Sequence, residues 1–191
     1  MELLLIRHAL PRRVDEGDGP GPADPELTPR GLQQAAALAE WLAAEDVHAV
    51  WSSPMRRALQ TATPVADALG LPMVVDEGLS EFDREALSYI PIEELKAAGD
   101  PRWHQVPERP EHFVAGVVDA IERIVAAHPS QRVAVVCHGG VVNAYCGHVL
   151  GIDDPLFFLP AYTSISRVLA SASGPRSIAS LNETAHVRDL L

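Results

Sequence analysis

The sequence predicts an α/β fold of three layers, in which a mostly parallel sheet carries helices on both faces. Two short runs rich in branched aliphatic residues, ELLLIRH at 2–8 and RVAVVCHGG at 132–140, are typical of buried parallel strands, because such strands are apolar on both faces. Helical stretches lie between these runs and several weaker strands. Strands that alternate with helices indicate a parallel sheet covered on both sides.

Each further element has a signal of its own along the chain. The first helix is predicted at 28–46, where Thr28 is a suitable N-cap and Pro29 falls in the first turn. Two stretches rich in glycine, proline and acidic residues, 14–26 and 99–111, are predicted to be surface loops. The remaining predicted elements are strands at 48–53, 72–76, 164–170 and 176–181 and helices at 53–70, 112–128 and 139–151. The loop at 14–26 follows the first strand directly, at the sheet edge where ligands bind.

Length and composition predict one folded domain spanning residues 1–191. A chain of this length fits one domain, and 47% hydrophobic against 21% charged residues is enough apolar mass for a packed core. The first strand holds only four consecutive aliphatic residues, too few for a secretory signal or a membrane span. Cys137 and Cys146 lack the spacing of a disulfide framework. We therefore expect a cytoplasmic protein without a membrane partner.

The formal net charge of −11 argues against binding to nucleic acid or to anionic lipid surfaces. The paired arginines at 12–13 and 56–57 are too few to form a basic stripe. A phosphate ester would be bound against the overall field of the protein and would need concentrated local positive charge, for which Arg7 and Arg57 are candidates. Composition leaves both a monomer and a homodimer open.

Two histidines stand at equivalent ends of the two most apolar strands. His8 ends the first run, and His138 lies near the end of the run at 132–140. In an open α/β sheet the ligand crevice lies outside the carboxyl ends of the strands, so the two rings can face each other across one pocket. A single histidine at such a place is more often a strand cap, and a matched pair weakens that interpretation. Gly139 and Gly140 then open a helix whose N–H groups can point at an anion such as phosphate.

A pair of arginines lies at the start of another predicted helix. The segment 52–54, Ser-Ser-Pro, offers a cap residue and a first-turn proline, which puts Arg56 and Arg57 in or near the first turn. One of the two can reach inward. Helical geometry alone does not decide which, and a solvated pair of arginines is equally compatible with this segment.

Four motifs in one order carry a resemblance to a known family. They are Arg7-His8, SSPMRRALQTA at 52–62, GLSEFD at 78–83 and CHGGV at 137–141. With these motifs the chain resembles the phosphatase branch of the histidine phosphatase superfamily, which has the phosphoglycerate-mutase-like fold. The segment NETAHV at 182–187 is similar to the end of that family. Each motif alone is a weak signal, whereas four in the correct order are specific.

The resemblance implies a role for each matching residue. It makes His8 the nucleophile that attacks phosphorus and becomes a phosphohistidine, and Glu81 the general acid, with Asp83 as the alternative proton donor. Of the two neighbouring arginines it selects Arg57. The groups that it implies for holding the phosphate are Arg7, Arg57, His138 and Gly139. It implies no metal, no cofactor and a small-molecule phosphate monoester as partner. Fixed positive charge and positioning suffice for phosphoryl transfer, because the negative charge is spread over three oxygens.

The chain departs from the commonest family pattern directly after the first histidine. Ala9 stands where glycine is usual, so a methyl group has to fit close to the phosphate. The threonine and asparagine usual shortly afterwards are missing. This leaves residues 10–14 to supply any replacement phosphate contact, with Arg12 and Arg13 as candidates.

A second departure follows the acid. The usual Gly-Trp-Glu-Gly type of segment is replaced by DREALSYIPIEEL at 83–95, so the substrate-facing wall of the family does not transfer. We expect a small cap of loop and helix around 83–112. Tyr89, Trp103 and Phe113 either line the entrance or act as packing anchors, which is the commoner role of aromatic residues in such loops.

Other functions fit the sequence less well. A cysteine-based phosphatase needs an arginine six residues after Cys137, where Asn143 stands, and the eight histidines show no HExxH or CxxC pattern for zinc. Within the family, the main alternative is a mutase that returns the phosphoryl group to another hydroxyl. The short, acidic segment from Glu81 to His112 favours hydrolysis over that reaction. A non-catalytic module that binds a phosphorylated ligand is the alternative from another class.

Overall fold

The structure, a computed structural model, describes residues 1–104, 112–171 and 174–191. The strands in these residues are β1 Glu2–Arg7, β2 Ala49–Ser52, β3 Met73–Val75, β4 Arg132–Cys137, β5 Ile165–Ala170 and β6 Arg176–Glu183. The helices are α1 Pro29–Ala43, α2 Arg56–Leu69, α3 Ile92–Ala97, α4 Phe113–Ala127 and α5 Gly139–Leu150. Short 3-10 helices lie at Glu77–Leu79, Pro101–His104 and Ala185–Leu190.

The strands form one mixed sheet in the order β3-β2-β4-β1-β5-β6. Strands β3, β2, β4 and β1 run parallel, and β5 and β6 add an antiparallel edge beside β1. Parallel neighbours need a crossover, which here is supplied by the helices between them. The prediction of a mostly parallel sheet in an α/β fold is therefore confirmed.

Two apolar cores lie on opposite faces of the sheet. Leu3 and Leu5 of β1 belong to the core under α4 and α5, whereas Leu4 and Ile6 belong to the core under α1 and α2. All four side chains are fully buried, and burial of each contributes about 1.5–3 kcal/mol relative to exposure. A strand that is apolar at every position is thus explained by helices on both faces, as the sequence predicts.

The register of the two central strands positions the candidate histidines. β1 and β4 are parallel neighbours, with Arg7 opposite Cys137. The next residues, His8 and His138, therefore leave the sheet side by side at its carboxyl edge. The His8 N–H continues the ladder by donating to the Cys137 carbonyl at 2.9 Å.

One of the two predicted helix starts is confirmed and the other is wrong. Thr28 caps α1, and its hydroxyl accepts the Gly31 N–H at 3.0 Å. The helix predicted from residue 53 begins only at Arg56, with Met55 at the N-cap position and no side-chain cap. The physical reason is that Ser53 still belongs to the sheet edge, since its N–H donates to a carbonyl of β4 at 3.0 Å.

The cap of loop and helix expected around 83–112 contains α3, which begins inside the segment 83–95 and ends at Ala97. Residues 101–104 of the predicted loop 99–111 form a 3-10 helix, which the sequence does not predict. Residues 105–111 of that loop lie outside the described residues. No helix in the described part of the chain has both the length and the apolar character needed to cross a bilayer.

Candidate active site

The two histidines predicted from the strand ends meet in one buried place. The ring centroids of His8 and His138 are 5.1 Å apart, with the planes tilted by 59°. Their exposed fractions are 2% and 0%, so both rings are withdrawn from bulk water. Arg7, Arg57 and Glu81 are also buried around them. The structure therefore brings together five of the residues that the sequence singles out.

His8 is held with one nitrogen ready to act as a nucleophile. Its Nδ1 lies 2.8 Å from the carbonyl oxygen of Ala9, which can only accept, so Nδ1 carries the proton. The lone pair is then on Nε2, which accepts from Arg57 Nε at 3.3 Å. Burial and the charges of Arg57 and Arg7 lower the pKa of His8 well below its ordinary value. The ring is therefore neutral at physiological pH.

Arg57, and not its neighbour, points into the pocket. Arg57 is 1% exposed, and its Nη1 is buried without a hydrogen-bond partner among the described residues. Arg56 lies outside, where its guanidinium pairs with Glu26 at 2.7 Å and its N–H donates to Asp24. The guanidinium of Arg57 also lies 4.7 Å from the ring centroid of Tyr89, within cation–π range. An orphaned buried N–H of this kind is suited to an anionic ligand.

Arg7 is the last residue of β1 and is held by three groups. Its Nη1 donates to the carbonyl of Pro160 at 2.6 Å and to Glu93 at 3.1 Å. Its guanidinium carbon lies 3.9 Å from the ring centroid of Tyr162. Its Nε faces the start of α5, 3.9 Å from the point where a Cβ on Gly139 would lie. These contacts fix a rigid donor at the pocket wall.

His138 is anchored by a residue that the sequence assigns to a different task. Its Nε2 lies 2.7 Å from the hydroxyl oxygen of Ser53, and its Nδ1 is buried without a partner among the described residues. Burial, then Arg57 and His8, lower the pKa of this ring well below its ordinary value. Ser53 is predicted as a helix cap, and its position beside β4 makes it a ring anchor instead. The Ser-Ser-Pro motif was the available signal for this residue.

Glu81 lies where its carboxyl group can exchange a proton with a ligand. Its two oxygens accept the N–H groups of Gly140 at 2.8 Å and Phe82 at 3.1 Å. Burial, and next the charge of Asp83, raise the pKa of Glu81 to about 7, against the lowering effect of those N–H donors. A Cβ at position 140 would overlap the Glu81 carboxylate, so this contact requires glycine there. The carboxyl group is thus partly protonated at neutral pH.

Asp83 sits at the rim of the same cluster. Its carboxylate is 3.7 Å from Arg57 Nη2, and the side chain is 35% exposed. Burial raises its pKa, and the charge of Arg57 lowers it. Glu81 makes the backbone contacts at the start of α5, whereas Asp83 faces Arg57. The two carboxyl groups therefore have different surroundings.

Several other predicted contributors are placed away from the pocket. Arg12 and Arg13 are exposed and pair with Glu26 and Asp15, whereas Arg7 and Arg57 are buried. The Ala9 methyl, expected close to the phosphate, packs in a small apolar cluster with Leu27 and Ala35.

The aromatic residues of the cap region divide in the same way. Tyr89 is at the pocket, over Arg57, and Phe113 packs edge-on against Phe82 with ring centroids 5.6 Å apart. The side chain of Trp103 lies outside the described residues. Cys137, the rejected alternative nucleophile, is buried, and burial raises the pKa of its thiol far above neutrality. Within the described ranges, no group of three or more His, Cys, Asp or Glu side chains is arranged to hold a metal ion.

The arrangement is suited to a tetrahedral dianion. Two fixed guanidinium groups carry the positive charge, and two neutral imidazoles and the N-terminus of α5 surround the same space. Preorganised donors in a water-poor pocket stabilise charge that develops on phosphoryl oxygens. The unprotonated nitrogen of a neutral imidazole is suited to nucleophilic attack, and a carboxyl group with a pKa of about 7 is suited to proton donation.

Comparisons with known proteins agree with this geometry. The family model described as histidine phosphatase superfamily (branch 1) matches residues 3–184. A putative phosphoserine phosphatase 2 from Hydrogenobacter thermophilus is 34% identical over 161 residues, which cover 78% of this chain and 79% of that protein. A glucosyl-3-phosphoglycerate phosphatase from Mycolicibacterium vanbaalenii is 26% identical over 167 residues, covering 78% and 74%.

Solved structures show the same fold. An Entamoeba histolytica phosphoserine phosphatase variant in complex with phosphoserine superposes with a TM-score of 0.75 at 21% identity, covering 97% of this chain and 98% of that one. YhfR from Bacillus stearothermophilus gives a TM-score of 0.76 at 23% identity, covering 98% and 99%. The match over nearly the whole chain, together with a sequence relative above 30% identity, shows that the chain belongs to branch 1 of the histidine phosphatase superfamily.

Proposed function

We propose that this chain hydrolyses small phosphate monoesters without a metal, through a phosphohistidine on His8. Membership of the family and the phosphatases among its relatives support an enzyme that hydrolyses phosphate monoesters. The observation that carries the proposal is the state of His8, whose Nε2 lone pair faces Arg57 in a pocket shared with His138 and Glu81. The composition and the absence of disulfide spacing support a cytoplasmic location for this activity.

The first half of the reaction transfers the phosphoryl group to the protein. His8 Nε2 attacks phosphorus, and the bond between phosphorus and the leaving oxygen breaks as the new P–N bond forms. Glu81 gives its proton to the leaving oxygen, so the alcohol departs neutral. Nδ1 keeps its proton and its hydrogen bond to the Ala9 carbonyl, and this bond stabilises the positive charge that appears on the ring. Arg7 and Arg57 match the two negative charges of the phosphoryl group.

The second half regenerates the free protein. Glu81, now a carboxylate, takes a proton from water as the water oxygen attacks phosphorus. The P–N bond breaks, inorganic phosphate leaves, and His8 Nε2 recovers its lone pair. Because burial and Asp83 hold the pKa of Glu81 at about 7, the carboxyl group can give and accept this proton at neutral pH.

The pH dependence of the reaction should report Glu81. Only its protonated form starts the reaction, so we expect kcat/KM for an alkyl phosphate such as 2-hydroxyethyl phosphate to fall above about pH 7, tenfold per pH unit. The second ionisation of the substrate lies at about pH 6, so it shapes the acid side of the profile and not the alkaline fall. Stopped assays of phosphate release from pH 5 to 9 measure the profile.

The matched control for this profile is Glu81→Gln, which cannot titrate. It should hydrolyse the alkyl ester about 10²-fold or more slowly and lose the alkaline fall. p-Nitrophenyl phosphate, whose leaving group is acidic, should depend far less on Glu81. A profile that keeps its alkaline limb in Glu81→Gln would assign the proton donor elsewhere, with Asp83 the first candidate.

The proposed activity is tested most directly with p-nitrophenyl phosphate in the presence of EDTA. We expect turnover that EDTA leaves unchanged, because Arg7 and Arg57 supply the positive charge. Loss of turnover in EDTA would contradict the metal-free mechanism. Isomerisation of 3-phosphoglycerate that depends on bisphosphoglycerate would identify a mutase. No activity in either assay would indicate a non-catalytic phosphate-binding module.

A further inference from the structure

A third charged group touches the candidate phosphate site from the side of the cap. Glu93, in the first turn of α3, places one carboxylate oxygen 3.1 Å from Arg7 Nη1. Its other oxygen, Oε2, is buried without a hydrogen bond of ordinary length among the described residues, and the hydroxyl of Tyr162 interacts with the same carboxylate. The side chain as a whole is 41% exposed, so this carboxylate belongs to the edge of the pocket. The hydrolytic mechanism leaves Glu93 without a task.

The position of Glu93 is set by the main chain of the segment 83–97, here named the cap segment. Tyr89 pairs with Val14 through two backbone hydrogen bonds of 2.8 and 2.9 Å, and the Ala23 N–H donates to the Ala86 carbonyl at 2.7 Å. The cap segment is thus attached to the long loop after β1. These backbone hydrogen bonds therefore fix the position of the main chain at Glu93 relative to Arg7.

A balance of charges shows what Glu93 does to the occupied pocket. Arg7 and Arg57 carry two positive charges, and the two imidazoles are neutral. A phosphate monoester dianion brings two negative charges, so these groups alone are balanced. Glu93 adds one negative charge on the same guanidinium that holds the phosphate. Because the Glu93 side chain is 41% exposed, water screens part of this excess, and the cost falls mainly on the buried oxygen Oε2.

The substrate itself can supply that partner. An ammonium group on the leaving alcohol would restore neutrality and would satisfy the Oε2 atom of Glu93 by a charge-assisted hydrogen bond. A carboxylate or second phosphate on the leaving group would instead add to the excess. Asp83, on the other arginine, acts in the same direction whenever it is ionised. Repulsion of this kind selects against one class of substrate as strongly as attraction selects for another.

The space beside Glu93 is suited to a small organic group. A cavity of about 320 Å³ borders on Glu93 and Tyr162, which both contact Arg7. Its lining is largely apolar and includes Leu10, Leu159, Pro160 and Ala161. Arg30 also lines the cavity and donates to main-chain oxygens of Leu190 and Leu191. The carboxylate of Glu93 therefore contacts Arg7 and borders a largely apolar cavity.

We propose that Glu93 is a specificity-determining residue that selects phosphate esters of amino alcohols, with the ammonium group a short carbon chain away from the phosphate. This inference rests on the proposed hydrolytic function. The chain is short in this proposal because the phosphate and Glu93 share the guanidinium of Arg7, so a single side chain separates them.

Three substrates of matched size test the charge of the leaving group alone. O-phosphoethanolamine carries an ammonium, 2-hydroxyethyl phosphate is neutral at the same place, and phosphoglycolate carries a carboxylate. We expect kcat/KM of the natural chain to fall in that order. In Glu93→Gln the preference for phosphoethanolamine over hydroxyethyl phosphate should shrink about tenfold, a typical effect of removing one close ionic partner. Phosphoglycolate should become a better substrate.

The matched control is Glu94→Gln. Glu94 is the next residue of α3, is half exposed and lies 3.9 Å from Arg13, away from Arg7. Its replacement changes the net charge by the same amount and should leave the three-substrate ranking unchanged. If Glu94→Gln shifts the ranking as much as Glu93→Gln does, a general field effect explains the selectivity and the inference is wrong.

p-Nitrophenyl phosphate separates the remaining outcomes, since it has no ammonium group. If Glu93→Gln changes kcat/KM for this ester and for the three alkyl esters by one common factor, Glu93 only positions Arg7 and the inference is overturned. A natural chain that prefers phosphoglycolate overturns it without any variant. A natural chain that fails to hydrolyse p-nitrophenyl phosphate removes the proposed function itself, which is a different result.

Discussion

Replacing His8 with alanine should lower kcat/KM for p-nitrophenyl phosphate by at least about 10⁴-fold, the scale on which a lost nucleophile acts. The side chain supplies the only protein atom that forms a bond to phosphorus in the proposed mechanism. We expect that His138, 5.1 Å away between ring centroids, does not substitute for it, because in the proposed mechanism this ring holds the phosphoryl oxygens. Continuous release of p-nitrophenol measures the loss.

The covalent step gives this prediction a second readout. Rapid acid-free denaturation of the natural chain during turnover of a labelled phosphate ester should trap a phosphoamidate on the peptide that contains His8, stable in alkali and lost in acid. The control is His148→Ala, an exposed histidine of α5, which should keep both the rate and the label. A His8→Ala protein that retains substantial turnover or label would show that another group is the nucleophile.

Replacing Arg57 with alanine should lower kcat/KM by about 10²–10³-fold, as the loss of one preorganised donor does. Arg57 acts in two ways at once. Its buried Nη1 awaits an anionic acceptor, and its Nε donates to the nucleophilic Nε2 of His8 at 3.3 Å. Arg57→Lys, which keeps the charge but not the planar fork, should fall between alanine and the natural chain.

Arg56 provides an unusually close control for that experiment. It is the preceding residue, of the same type, on the outer face of α2, where it pairs with Glu26. An exposed ion pair contributes little, so Arg56→Ala should keep kcat/KM within about twofold. Thermal unfolding of both variants shows whether either has lost its fold. Equal losses in the two folded variants would mean that the arginine directed inward has no special role.

The strands and most helices were predictable because their signals are local. The apolar runs that became β1 and β4 require burial on both faces, and Thr28 marks the start of α1 within its own turn. The start of α2 was predicted three residues too early. Ser53 has the composition of a cap, but its N–H bonds to β4 and its hydroxyl to His138, 85 residues away. A contact between residues so far apart in sequence does not appear in the local pattern from which a helix start is predicted.

The same distinction divides the site. His8 and His138 follow strands, so topology alone predicts that they converge, whereas the choice of Arg57 over Arg56 came from the family resemblance. The ion pair between Arg7 and Glu93 joins residues 86 apart, and Glu93 lies in a cap segment without a recognisable pattern. The direction of the Ala9 side chain was equally hidden, since it depends on how the chain turns after the strand. The residues proposed to carry the chemistry could be predicted from the sequence, whereas the residues of the wall that faces the substrate could not.

The hydrogen bond from Gly140 to Glu81 has an energetic consequence for the whole cycle. The positive end of the α5 dipole rests on the same carboxylate that burial and Asp83 disfavour, and the net result is a pKa of about 7 for Glu81. Near pH 7 the acid and its conjugate base are therefore almost isoenergetic. A group that must serve as a donor in one half-reaction and as an acceptor in the next gains from this thermoneutrality, because neither half is slowed by an uphill proton transfer.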